Sequence, residues 1–236
     1  MPMRNLLTSC YNGGRQSNSM DNKVYAMKLA IFGATGTTGQ HLVQQALEAG
    51  HEVVAFVRNP AKLNVHNHGQ LTCVQGDIQN AAKVAEAIAG VDAVLSVLGP
   101  SSGAPKFAIT NGTQNILTAM QQGGVRRLVI SAGAGVRDPL DKPKLIDYVF
   151  GFLLRLLSRS AVEDMTEMVN VVRASDLDWT VVRVPRLLDK PATGKIRIGY
   201  LGADVSTQLS RADMAGFMLR QVTDQTYLHK APVISN

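Results

Sequence analysis

The order of patterns along the chain predicts a doubly wound α/β fold, a mainly parallel sheet with helices on both faces. Three observations predict it. Short continuous apolar runs alternate with longer segments of helical spacing, as in strands buried on both faces between crossover helices. Three helical segments stop at glycine, at Gly50, Gly90 and Gly123-Gly124, the residue that most readily ends a helix. The first strand runs directly into a glycine-punctuated turn that opens the first helix.

Lys28 to Phe32 is the first strand, rich in β formers, and Gln40 to Ala49 is the first helix. Glu52 to Val57 is a second buried strand and Leu71 to Val74 a third, which places Cys73 inside the sheet. Asp77 opens a helix through Ala89. Val91 to Val97 is the fourth strand, Phe107 to Gln122 a helix, and Val125 to Ser131 the fifth strand. Leu145 to Ser158 and Ala161 to Ala174 read as two helices. Trp179 to Val184 is a sixth strand, Lys195 to Tyr200 a short one and Ala231 to Ser235 the last. Ser210 to Val222 is a helix in which Ser210 and Asp213 have the spacing of a capping box. With no linker between the halves, residues 27–236 read as one domain. Its second half is expected to shape a substrate pocket at the carboxyl end of the sheet.

Composition bounds the function class. In 236 residues, apolar types make up 45% and charged types 18%, the balance of a globular domain. The net charge is +6, but no Lys/Arg run marks a nucleic-acid surface, so the basic balance suits an anionic cofactor and no nucleic acid is expected. Cys10 and Cys73 are the two cysteines, too few for a disulfide framework or metal cluster. No apolar run approaches the ~20 residues of a membrane span. A cytoplasmic protein, monomer or homodimer, is expected. Residues 1–26 are polar, contain Gly13-Gly14 and a Ser/Asn-rich stretch, and lack the apolar segment of a secretory signal. They read as a disordered arm. The alternatives are an upstream start with the natural chain beginning at Met27, or an organelle-targeting segment.

The sharpest motif is Gly33-Ala34-Thr35-Gly36-Thr37-Thr38-Gly39 between a strand and a helix, the Rossmann-type phosphate turn. Gly33 permits the tight turn, Gly36 lets backbone approach a pyrophosphate, and Gly39 lets the helix pack close to the strand. The helix start, with Thr35, Thr37 and Thr38, then presents free N–H groups and a positive dipole end to phosphate. After the second strand, where an NAD site carries Asp or Glu for the ribose diol, this chain has Arg58, with Lys62 four residues on. Two cations at that corner point to the 2′-phosphate of NADP(H). Their plain alternative is two solvated surface cations. Asp77 and Ile78 are placed beside the adenine, Asp77 also capping the following helix, or capping alone. Leu98 and Gly99 follow the fourth strand, where Gly99 lets the chain pass close to the ribose and pyrophosphate.

Taken together, Lys28–Gly39, the Val57–Leu63 corner and Gly76-Asp77 resemble the atypical short-chain dehydrogenase/reductases. Within them the chain is most similar to the single-domain NAD(P)H-binding group that includes flavin reductase/biliverdin-IXβ reductase and NmrA-like proteins. Ser175–Arg183, Pro185–Leu187 and Ser210–Ala215 carry the likeness onward, so it runs from Lys28 to the C-terminus. The resemblance implies a Rossmann core, NADP(H), and a nicotinamide facing Ser131 and Val184-Pro185. It does not imply one substrate.

The chain departs from ordinary short-chain dehydrogenases in lacking Tyr-x-x-x-Lys, the pair that lowers a tyrosine pKa for proton transfer. Tyr148 is followed four residues later by Phe152, and no other tyrosine begins such a pair. Histidines 41, 51, 66, 68 and 229 lie away from the expected pocket. A conjugated acceptor relaxes the need for a tuned acid: charge delocalises, solvent supplies the proton, and proximity carries the catalysis. The leading expectation is therefore an NADPH-dependent reductase of a flavin or quinone-like small molecule. Ser131 is the first candidate for a hydroxyl near the nicotinamide, with strand-end hydrogen bonding as its plain alternative. Tyr148 is the second. The other function is a non-catalytic NADP(H) sensor of the NmrA-like type; a sugar epimerase or isomerase is disfavoured by the missing proton-transfer pair. Lys144, Asp147, Gly151, Arg155 and Ser158 form one narrow polar stripe on an otherwise apolar helix, expected to be buried on most sides against the pocket, with a dimer contact or membrane surface as alternatives. Asp164 and Glu167 on the next helix read as solvated, with a position facing the pocket as the alternative.

Overall fold

The computed structural model describes residues 26–101, 103–143, 145–202 and 205–236, and over 145–158 the backbone alone. Residues 1–25 of the expected arm, Cys10 among them, and Lys144 lie outside these residues. The apolar runs form β1 (Lys28–Phe32), β2 (Glu52–Val57), β3 (Leu71–Gln75), β4 (Ala93–Ser96), β5 (Arg127–Gly133) and β6 (Asp178–Val184). With β8 (Arg197–Gly199) and β10 (Val233–Ser235) they make one sheet in the order β3-β2-β1-β4-β5-β6-β10-β8. Every pairing is parallel except β10 with β8. Helices α1 (Thr37–Glu48) and α5 (Arg211–Arg220) cover one face; α2 (Ala81–Ile88), α3 (Ala108–Gly123) and α4 (Leu145–Arg173) cover the other. This is the doubly wound Rossmann architecture expected.

Alternation along each strand divides the core. Leu29, Ile31, Val53 and Ala55 face α1 and α5 with Leu42, Ala46, Phe217 and Met218. Ala30, Phe32, Val54 and Phe56 face the other layer with Val84, Ile116, Met120 and Val172. Strand order reverses between β1 and β4, so the crevice at this switch point opens outside the carboxyl ends of the strands.

Five details depart from expectation. The two helices expected over 145–174 are one, α4: the junction Arg159-Ser160 holds no breaker, and Arg159 pairs with Glu163 one turn on at 2.8 Å. β3 is an edge strand and Cys73 is exposed, not buried. Asp77 does not cap α2. Its carboxylate accepts from the Gln79 N–H in a local turn (2.9 Å), and Asn80 caps the helix by accepting from the Lys83 N–H. Ser210 and Asp213 form no capping box. The Ser210 hydroxyl donates to the Lys190 carbonyl, while buried Asp213 accepts from the Thr193 and Gly194 N–H groups. A small parallel sheet, β7 (Arg186–Leu188) with β9 (Gln208–Ser210), was not expected.

Among the described residues no helix is long and apolar enough to cross a membrane.

Candidate functional site

A cleft of about 1610 Å³ lies along the carboxyl ends of β1, β2, β4, β5 and β6. Its floor is the turn from β1 into α1. Gly33 has φ +82°, and a Cβ there would lie 2.9 Å from the Val97 carbonyl oxygen, so the turn and the β4 end are in backbone contact. The Gly36 N–H bonds back to the Gly33 carbonyl (3.0 Å). At Gly39 a Cβ would lie 2.1 Å from that same oxygen; only a hydrogen fits between α1 and the turn. Gly36 stands at the start of α1 with no side chain capping it. The first N–H groups of the helix and its positive dipole end therefore face the cleft beside Thr35, Thr37 and Thr38, an arrangement that accepts a phosphate.

At one end of the cleft stand Arg58, Lys62, Asp77, Ile78 and Gln79. β2 ends at Val57, which puts Arg58 at the rim, and a 3-10 turn over Pro60–Lys62 brings Lys62 to the same corner. Gln40 of α1 holds that turn, its amide donating to the Lys62 carbonyl (2.6 Å). Arg58 and Lys62 form no ion pair with a carboxylate among the described residues. Ile78 seats on Gly112 of α3, and Asn115 donates to the Ile78 carbonyl (2.9 Å), so the β3–α2 turn is fixed as a wall. The donors and the Cβ-free cradle fit a dinucleotide carrying an extra phosphate at this corner.

At the other end the walls are Leu98, Gly99, the loop through Lys106 and Phe107, Ser131, Val184, Pro185 and Leu187, with Asp164 and Met165 from α4. Ser131 is 6% exposed, on β5 in register with Val182 of β6. Its hydroxyl has no hydrogen-bond partner among the described residues. The helix carrying Tyr148 is described, but the Tyr148 side chain is not, nor are those of the stripe from Asp147 to Ser158. No histidine or tyrosine occurs among the described lining residues.

Two features were missed from sequence. Asp164, read as solvated, is buried, and its carboxylate accepts from the Ile109 and Thr110 N–H groups (3.0 and 2.9 Å) and the Thr110 hydroxyl (2.7 Å). It caps the first turn of α3 from another helix, because Phe107, left-handed at φ 60°, offers no capping oxygen. Glu167 is exposed, as expected. The second is Arg211 at the start of α5, which lines the cleft and pairs with Asp189 at 2.7 Å. The Asp164 pairing spans 55 residues and leaves no local pattern, and Arg211, inside the Ser210–Ala215 stretch that carries the family likeness, had no role assigned to it.

Behind the β6 wall, fully buried Arg183 forks onto Asp141 (2.7 Å twice) and donates to the Val136 carbonyl (2.8 Å). This ties the β5–α4 loop to the strand that carries Val184, whose carbonyl accepts from the Ala134 N–H (2.7 Å). Burial pushes the Asp141 carboxyl up, but hydrogen bonds from Arg183, the Asp138 N–H and the Leu201 N–H, with the Arg183 charge, outweigh it and hold Asp141 below its ordinary value.

A family model described as NAD(P)H-binding matches residues 33–225. The chain is 36% identical over 121 residues to a 3-beta-hydroxysteroid dehydrogenase of Mycolicibacterium neoaurum, covering 46% of this chain and only 32% of that protein. It is 24% identical over 225 residues to a probable pinoresinol-lariciresinol reductase 3 of Arabidopsis thaliana, covering 92% of this chain and 70% of that one. Its fold matches a short-chain dehydrogenase/reductase from Veillonella parvula, solved in complex with NADP, at a TM-score of 0.71 and 20% identity, over 89% of this chain and 94% of that one.

Proposed function

Because the chain belongs to the NAD(P)H-binding family, we propose that it is an NADPH-dependent reductase of the atypical short-chain dehydrogenase/reductase type, acting on a small conjugated acceptor, a flavin or quinone. The observation that carries the cofactor choice is the corner after β2. Among the described residues Arg58 and Lys62 stand there without a paired carboxylate, where an acid would select NADH by binding the ribose diol and repelling a 2′-phosphate. Gly36 and the first turn of α1 hold the pyrophosphate, with Thr35, Thr37, Thr38, Leu98 and Gly99 around it. Asp77 and Ile78 bound the adenine, and Ser131, Val184 and Pro185 face the nicotinamide.

When bound, NADPH supplies a hydride to the acceptor ring, and solvent supplies the proton that completes its two-electron reduction. What the chain contributes is contact between two flat rings in a cleft walled by Leu98, Phe107, Met165, Val184 and Leu187. The described lining offers no tyrosine or histidine to act as a tuned acid, which suits an acceptor that delocalises charge. That same observation favours one other reading, a sensor that binds NADP(H) and regulates a partner. Relatives whose names include reductases support the first.

Dissociation constants for NADPH and NADH, followed by NADPH oxidation with riboflavin and quinones, test the proposal. NADPH is expected to bind more tightly, and Arg58→Glu to weaken it about 10-fold or more, the worth of one or two charge-assisted hydrogen bonds. Equal affinity for NADH would remove the phosphate corner. Tight NADPH binding with no turnover on any acceptor would select the sensor.

A further inference from the structure

Three cations of the cleft stand around the start of α1. Two are Lys62, whose turn Gln40 holds to the helix, and Arg58. The third is Arg211, from a helix that packs along α1, where Gln45 donates to the Ala212 carbonyl (3.0 Å). Its partner Asp189 stands beside Thr37 and Gln40 of α1, with Asn64 and Val65. With Arg58 and Lys62 assigned to the 2′-phosphate, Arg211 is a further cation of the cleft to which that phosphate gives no role.

Its setting is that of a held group. The side chain of Arg211 is 23% exposed, beside buried Met214 and half-buried Leu187. Its Nε donates to Asp189, and its two Nη atoms have no hydrogen-bond partner among the described residues. Asp189 is 73% exposed, so this pair contributes little stability. What it does is fix the plane of the guanidinium and leave the Nη edge for a second partner, the geometry in which arginine binds oxyanions by a fork.

We propose that Arg211 is an anion-binding residue of the cleft, oriented by Asp189, and that it takes a phosphate or carboxylate group on the nicotinamide side. That group belongs either to the pyrophosphate or to the acceptor; the proposal rests on the placement of the dinucleotide given above. In the first case Arg211 adds a cation to the phosphate site at the start of α1. In the second it makes the enzyme selective for conjugated acceptors that carry an anionic group.

Arg211→Met and Arg211→Lys are compared with the parent protein in two measurements, the NADPH dissociation constant by fluorescence and the KM for riboflavin against that for its 5′-phosphate. Those two acceptors differ by one phosphate. Loss of one charge-assisted fork is expected to cost about tenfold in Arg211→Met, with Arg211→Lys between it and the parent. A weaker NADPH constant with an unchanged acceptor ratio assigns the cofactor phosphates. An unchanged NADPH constant with loss of preference for the phosphorylated acceptor assigns the acceptor. If both are unchanged, Arg211 binds no anion and the inference is wrong. Asp189→Asn, a surface change that leaves the cation in place, should shift the same quantity by a smaller factor, which guards against a misfolded Arg211 variant. A parent protein that binds NADPH but turns over no acceptor would sink the reductase reading alone; Arg211 is then decided by the dissociation constants for NADPH and for riboflavin 5′-phosphate against riboflavin, read in place of KM.

Discussion

Gly39 decides how closely α1 can approach the turn that precedes it. A Cβ there would meet the Gly33 carbonyl oxygen at 2.1 Å and the Ala34 Cα at 2.8 Å, and backbone atoms cannot swing aside as a flexible side chain does. Gly39→Ala is therefore expected to push α1 away from β1. The protein should lose about 1–3 kcal/mol or more and bind NADPH far more weakly, because the N–H groups that meet the pyrophosphate move with the helix. Thermal denaturation and an NADPH titration of the variant check this; wild-type values in both would mean that the turn has room the structure does not show. Gly39 was legible as a contact glycine because the G-x-x-G-x-x-G spacing is local. Asp77 was not legible as a turn residue: its carboxylate could serve the helix or the turn, and Asn80, three residues on, is the better placed cap.

At the scale of elements, α3 and α4 act as one unit. Asp164 of α4 satisfies two N–H groups in the first turn of α3 and the Thr110 hydroxyl, and this junction sets where Phe107 and Ile109 stand in the acceptor wall. Asp164→Ala removes a cap and leaves buried donors without a partner. A loss of about 2–3 kcal/mol is expected, together with a raised KM for the acceptor and a smaller loss of NADPH affinity, since Arg58 and Lys62 lie on other elements while Gln79 donates to the Ala108 carbonyl at the start of α3. Denaturant unfolding and steady-state kinetics check both parts. The one side-chain carbonyl oxygen that Asp164→Asn keeps as an acceptor should recover part of the stability. That α4 is a single helix follows from the residues at 158–161, none of which breaks a helix.

For the whole molecule, the buried pair Arg183–Asp141 joins β6, the loop after β5 and the Leu201 backbone. The folded Asp141 carboxyl lies below its unfolded value. The stability it contributes is thus fully present above the unfolded value and is lost as pH falls through the folded one, below pH ~4. Asp141→Asn leaves Arg183 buried without a counter-charge and should cost about 3–5 kcal/mol at neutral pH, while flattening the acid limb of the stability profile. Urea unfolding at pH 7 and at pH 3–5 reads both effects; a variant with an unchanged acid limb would assign acid sensitivity to other carboxylates. Because the pair backs the wall at Val184-Pro185, partial opening at low pH should reach that end of the cleft before the Gly33–Gly39 turn.

The sequence by itself determined the sheet, the order of its elements, the phosphate turn and the cationic corner. Each rests on short-range regularities: apolar runs, glycines at fixed spacing, and charges adjacent to the end of a strand. Tertiary structure alone decided that Cys73 lies on an exposed edge strand, that Asp164 caps a helix 55 residues away, that Ser210 and Asp213 serve neighbouring loops, and that Arg211 reaches the cleft. It also paired β7 with β9 and buried Arg183 against Asp141. The reason is physical: a buried polar group takes whichever partner the packed chain brings within hydrogen-bonding distance, and that partner's position in the sequence carries no local mark.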